Sequence, residues 1–172
     1  MTLHEFNILS KQQLIEELTK CCGSSAWVKR MLPFIPADDM IELLEDAEEE
    51  WNKCSQEDWK EAFSHHPKIG DVESLAKKFA STAHQIAIGW AAGEQSAVNV
   101  ASKETIEALA EGNRLYEERF GYIFIVCATG KSAEEMLMLL RSRLKNSPEE
   151  EILIAADEQN KITKLRIEKL LE

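Results

Sequence analysis

The sequence predicts an all-α protein, a single-domain bundle of about eight to nine helices interrupted by one irregular apolar segment that lines its site. Three observations carry this expectation. Small polar capping residues recur in front of amphipathic stretches, apolar residues return at three- and four-residue spacing, and the helix breakers are few, with 7 Gly and 4 Pro in 172 residues. A chain of this length suits one domain, residues 1–172, with enough apolar content (44%) to bury a core.

Taken in order, Ser10 stands before "KQQLIEELTK", Ser25 before "AWVKRML", Asp38 before "DMIELLEDAEEEWNKC" and Ser55 before "QEDWKEAF". Each is a side-chain acceptor placed where a helix leaves its first N–H groups unpaired. Further helices are expected in "DVESLAKKFA", in "TAHQIAIGWAAGEQSAVN", and from Ser102 through "KETIEALAEGNRLYEERF" to Gly121, a natural terminator. Ser132 with Glu135 and Ser147 with Glu150 form S-x-x-E capping boxes, the second with Pro148 at the first helical position. The first of these helices repeats Met136, Leu137, Leu140 and Leu144 along one face. The second repeats Ile152, Ala155, Ala156, Gln159, Ile162 and Ile167, and both stripes read as core.

"GYIFIVCATG" breaks the pattern. It is apolar, β-branched and aromatic between Gly121 and Gly130, and alone it reads as a strand. No second strand exists to pair with it, so its backbone groups need side chains, a dimer mate or a ligand as partners.

Charge and cysteine usage narrow the function classes. With 31 acidic and 20 basic residues the net charge is −11, which disfavours nucleic acid, and any anion site must rest on a few local cations and amides. The four cysteines, Cys21, Cys22, Cys54 and Cys127, have no C-x-x-C spacing and read as reduced, mostly buried thiols. No apolar run reaches the length of a membrane span. The first residues lack a signal-peptide pattern and the last carry no peroxisomal address, so a cytoplasmic protein without membrane attachment is expected.

The chemistry-bearing candidates begin with "EAFSHHPKIGD", where His65 and His66 precede Pro67. A proline biases the residue before it away from helix, so the helix begun at Ser55 should end at or near His66. At a helix C-terminus the macrodipole favours the imidazolium by up to roughly 1–2 kcal/mol, drawing the ring toward proton exchange near neutral pH. An ordinary cap or surface histidine fits the same local pattern. A metal site is not expected, because adjacent histidines project apart and His84 has no partner at i+4, so it and His4 read as structural or exposed. In "GWAAGEQS", Trp90 fits a core residue or a ligand platform, and Glu94 beside Gly93 fits a solvated carboxylate or the orienter of a histidine. Arg166, between Leu165 and Ile167, reads as a snorkelling side chain or as a forked donor for a carboxylate or ureido carbonyl.

In this order, "HPKIG", "W-x-x-x-EQ", "N-x-x-Y-x-x-x-FGYIFIVCATG", "EEMLMLLRSRLKN" and "A-x-x-E-x-x-KITKLR" resemble the OHCU decarboxylase family over residues Phe6 to Leu170. That family decarboxylates 2-oxo-4-hydroxy-4-carboxy-5-ureidoimidazoline (OHCU) to (S)-allantoin in urate degradation. The resemblance implies an all-α homodimer acting on a small molecule, with no cofactor. It implies His66 and Glu94 as the catalytic pair. It places Pro67, Trp90, Ala91, Gln95, the backbone of Phe124, Ile125, Val126, Cys127 and Ala128, and Arg166 at the substrate, with His65 outside the match. The chain departs from the family in carrying Ala91 where serine is frequent, and in a longer interval between His66 and Glu94 than in animal members. Two rival classes make different predictions: an acidic helical interaction module captures a partner without turnover, and a helical metal-binding protein retains stoichiometric metal.

Overall fold

The computed structural model describes residues 1–67, 72–79 and 103–172. All regular structure among them is helical: α1 (Leu3–Asn7), α2 (Lys11–Cys21), α3 (Ser25–Met31), α4 (Met40–Asn52), α5 (Gln56–Ser64), α6 (72–79), α7 (Lys103–Phe120), α8 (Ala133–Arg143) and α9 (Pro148–Leu170), with a short 3-10 turn at Leu32–Phe34. The all-α expectation is met. The helix expected in "TAHQIAIGWAAGEQSAVN", with its cap region at Ser102, lies outside the described residues.

The caps explain where the helices start. Ser10, Ser55 and Ser132 cap their helices as expected, each accepting the N–H three residues on; the reciprocal bond expected of Glu135 is present, and Gln13 and Asp58 return one as well. Two starts differ by one residue. Ser24, not Ser25, caps α3 through Trp27 N–H, because Ser25 instead bonds Glu61 through both its N–H and its hydroxyl at 3.0 Å. Asp39, not Asp38, caps α4 through Glu42 N–H. The sequence reading also passed over α1, which Thr2 and Glu5 close with a reciprocal box of the same kind.

The chain contacts cluster into two compact units. The first comprises Met1–His66, Ile125–Cys127 and Ile152–Glu172. Phe6, Leu18, Trp27, Met31, Leu43, Trp51, Phe63, Ile125 and Ile167 form its core. Its large aromatics bring a polar edge inside and satisfy it: Trp27 Nε1 donates to Ala47 O and Trp51 Nε1 to Ala156 O, both at 2.9 Å. The second bond ties α4 to α9, the helix that carries the most polar groups of this unit's interior.

The second unit comprises Pro67–Phe124 and Ala128–Glu151, so α9 contributes only its first residues to it. In this unit α7 packs on α8 at Gly112, where a Cβ would stand 2.5 Å from Leu140 Cδ2. The fourth apolar position expected on α8, Leu144, is half-buried, and Arg143 takes the buried place instead. Its guanidinium meets Glu151 at 2.6 Å, and Glu151 also accepts Tyr116 OH (2.5 Å) and Asn146 Nδ2 (2.9 Å). A buried charge is tolerable only when paired and hydrogen-bonded in this way.

Candidate active site

The apolar segment after α7 has neither helix nor strand. Gly121 (φ +82°) and Gly130 (φ +74°) turn the chain at its two ends, in the left-handed region that favours glycine. Within the first unit, Ile125 sits in the core and the Cys127 N–H donates to Glu158 Oε2 at 2.6 Å. One of the partners that the lone apolar run demanded is therefore a carboxylate on α9, itself held by Lys161 at 2.7 Å.

The two histidines of "SHHP" separate. α5 ends at Ser64 with His65 as its C-cap, and the His66 N–H still reaches Phe63 O at 3.2 Å. The helix thus ends where Pro67 demands. His65 lies over Gly23, where a Cβ would come within 2.4 Å of its ring, and its side chain is otherwise exposed. His66 turns inward instead: its Nε2 lies 2.5 Å from Oε1 of Gln159, a side chain with no exposure at all. Gln159 Nε2 in turn donates to Thr163 Oγ1 at 3.1 Å, one helical turn further along α9.

The electrostatics of His66 run opposite to the expectation from the helix dipole. Burial pushes its pKa below the ordinary 6.5, the Gln159 contact raises it in part, and the positive charge of Arg166 and the neighbouring His65 lower it further. Desolvation outweighs the dipole because the ring leaves water, so the resting imidazole is neutral at neutral pH. Arg166 is half-buried and not a snorkelling surface residue. It donates through Nη1 to Cys21 O (3.2 Å) and Lys20 O (3.5 Å), the last carbonyls of α2, which fixes where its guanidinium can stand.

The thiols around this core are inert. Burial pushes Cys22 up to about 12, and Cys21 and Cys54 to about 11. All four cysteines are unpaired with one another, and Cys127 alone is half-buried rather than buried.

The first unit therefore assembles His66, Arg166 and the Ile125–Cys127 backbone, with Val126 half-buried between its neighbours. Phe124, Ala128 and Pro67 belong to the second unit. There the Phe124 ring lies 4.6 Å from the Arg143 guanidinium and edge-on to Tyr116, while Ala128 O accepts Lys131 N–H in the turn at Gly130. Glu94, Gln95, Trp90 and Ala91 lie outside the described residues. Sequence reasoning read Gln159 only as part of a core stripe and gave no site role to it, to Thr163 or to Glu158. The available signal was a polar residue on a packed stripe, since Gln159 stood among Ile152, Ala155 and Ala156.

The family model for OHCU decarboxylase matches residues 7–168. The chain belongs to the OHCU decarboxylase family. An Arabidopsis thaliana relative, uric acid degradation bifunctional protein TTL, is 41% identical over 159 residues, covering 90% of this chain and 46% of the relative. A Haloferax volcanii 2-oxo-4-hydroxy-4-carboxy-5-ureidoimidazoline decarboxylase is 25% identical over 171 residues, 97% of this chain and 94% of that one. A crystal structure of OHCU decarboxylase in the presence of (S)-allantoin superposes with a TM-score of 0.71 at 38% identity, covering 91% of this chain and 97% of that one. The matched stretch is just under half the length of the Arabidopsis protein.

Proposed function

We propose that this chain catalyses the decarboxylation of OHCU to (S)-allantoin and CO2 in urate degradation, as a carboxy-lyase needing no cofactor. The observation that carries it is His66, a neutral, inward-turned imidazole held by Gln159 and electrostatically coupled to Arg166 within one compact unit. Family membership over residues 7–168 supports the same activity and supports treating residues 1–172 as one functional domain.

The chemistry asks for what these residues offer. As CO2 leaves, the carbon–carbon bond electrons pass to the neighbouring C=N, whose nitrogen takes up a proton, leaving an enol. Collapse of the enol to allantoin moves one proton off the hydroxyl and places one on the ring carbon, and delivery to a single face gives the (S) product. A neutral imidazole can take the hydroxyl proton and give it to the ring carbon, the proton on the nitrogen being drawn from water. Arg166 suits the anionic carboxylate before it leaves, or a ureido carbonyl, and its charge also favours the neutral ring of His66. The backbone of Ile125 to Cys127 supplies fixed amide and carbonyl groups for the ring edge. Glu94 serves as the acidic partner of His66, and Gln95 reads the ring edge. Pro67, Trp90, Ala91, Phe124 and Ala128 complete the substrate contacts.

The homodimer and the cytoplasmic location are part of the same proposal. No helix among the described residues is long and apolar enough to cross a membrane, and light scattering tests the dimer. The decisive assay generates OHCU from urate with the two preceding enzymes and follows both its decay and the optical rotation. Accelerated decay to (S)-allantoin is expected, and His66→Ala should lose about 10²–10⁴ in rate. Racemic allantoin at the spontaneous rate would overturn the proposal.

A further inference from the structure

We infer that Gln159, anchored by Thr163, is a positioning residue that holds the neutral His66 ring with its proton on Nε2, leaving Nδ1 as the nitrogen that exchanges protons. The inference rests on the proposed acid–base role of His66 for its catalytic meaning, but not for its structural content.

An amide side chain can offer either its oxygen or its NH2 to a histidine, and the choice decides which ring nitrogen bears hydrogen. Two contacts make that choice here. Gln159 Oε1 faces His66 Nε2 at 2.5 Å, while Gln159 Nε2 faces Thr163 Oγ1 at 3.1 Å. Thr163 Oγ1 therefore accepts an N–H from Gln159. The Gln159 amide thus places its NH2 on the Thr163 side and its oxygen on the histidine side. An amide oxygen accepts and cannot donate, so His66 Nε2 must carry the proton. Both Gln159 (0% exposed) and Thr163 (3%) are out of reach of solvent, so water does not compete for either bond.

The consequence concerns the reacting face. With Nε2 committed to Gln159, protons pass between Nδ1 and the substrate. When the ring takes its second proton, Gln159 keeps accepting from Nε2, so neither protonation state requires the support to rearrange. A leucine or valine at position 159 would pack equally well on the stripe of α9, but it would leave the ring free to change tautomer and to turn.

The test records histidine side-chain nitrogen shifts of 15N-labelled protein at pH 8, with the His66 signals identified by their loss in His66→Asn. Nε2 should be pyrrole-like and Nδ1 pyridine-like, with an Nε2–H proton protected from exchange with water. In Gln159→Leu the two nitrogen shifts should converge and the protected proton should vanish. Gln159→Glu, which keeps the acceptor, should restore both. Thr163→Val, which removes the anchor without touching the ring, should loosen the pattern in the same sense. In the decarboxylation assay Gln159→Leu should lower kcat about 10- to 100-fold with little change in KM. A proton on Nδ1 in the parent protein, or an unchanged pattern in folded Gln159→Leu, overturns the inference. If His66→Ala keeps full turnover while the tautomer is as stated, the acid–base role fails and the positioning of the ring stands.

Discussion

Replacing Glu151 with Gln leaves the shape of its site almost untouched and removes one charge from a fully buried cluster. Glu151 has no exposure and accepts Tyr116 OH at 2.5 Å, Arg143 Nε at 2.7 Å and Asn146 Nδ2 at 2.9 Å, while Arg143, 6% exposed, also meets it through Nη2. An amide offers a single accepting oxygen and turns its own NH2 toward one of those donors. Breaking a buried ion pair by removing one partner costs about 3–5 kcal/mol. Against a total stability of about 5–15 kcal/mol that is a large share. With a urea m-value of about 2 kcal/mol/M, the midpoint should fall by about 1.5–2.5 M, read by circular dichroism at 222 nm. The double replacement Arg143→Met, Glu151→Leu removes both charges together and should recover most of the loss. A Glu151→Gln midpoint within about 0.3 M of the parent, at the same m-value, would refute the claim that Arg143 depends on this carboxylate.

The depressed pKa of His66 sets a pH dependence with a definite sign. Its folded value lies below 6.5, so the unfolded chain binds the proton first, and the associated stability is whole above about pH 6.5 and lost as pH falls through the lowered value. The acid limb of kcat/KM should accordingly lie below pH 6.5, and Arg166→Met should move it upward, since one lowering charge is gone; a limb above 6.5 in the parent contradicts this. Cys21, Cys22 and Cys54 are buried with raised thiol pKa values, so a thiol reagent at pH 8 should modify only Cys127 quickly and all four residues after denaturation. Counting labels by mass spectrometry decides it. Gly23→Ala would set a Cβ 2.4 Å from the His65 ring and should destabilise the chain by about 1–3 kcal/mol, seen as a lower Tm; an unchanged Tm would mean that His65 moves aside without cost.

Much of the fold was legible because the signals are local. The caps at Ser10 and Ser55 and the capping boxes at Ser132 and Ser147 involve residues at most three apart, and the structure uses each as read. Where a capping residue had a competitor, the reading slipped by one: Ser24 and Ser25 are equivalent by sequence, and only Glu61, distant in the chain, withdraws Ser25 from the cap. At the candidate site, two local features were legible. Pro67 marked His66 as a helix end, and the apolar run between Gly121 and Gly130 announced backbone groups in need of partners.

By itself the sequence determined the all-α class, most helix ends, the unequal status of the two histidines next to proline, and membership of the OHCU decarboxylase family. These follow from periodicity, capping and motif order along the chain. Tertiary structure alone decided that His66 rests neutral rather than charged, because desolvation depends on what closes over a ring and not on its neighbours in sequence. It likewise decided that Gln159 and Thr163 form one hydrogen-bonded line behind that ring, since His66 and this part of α9, far apart in the chain, meet only when folding buries them together.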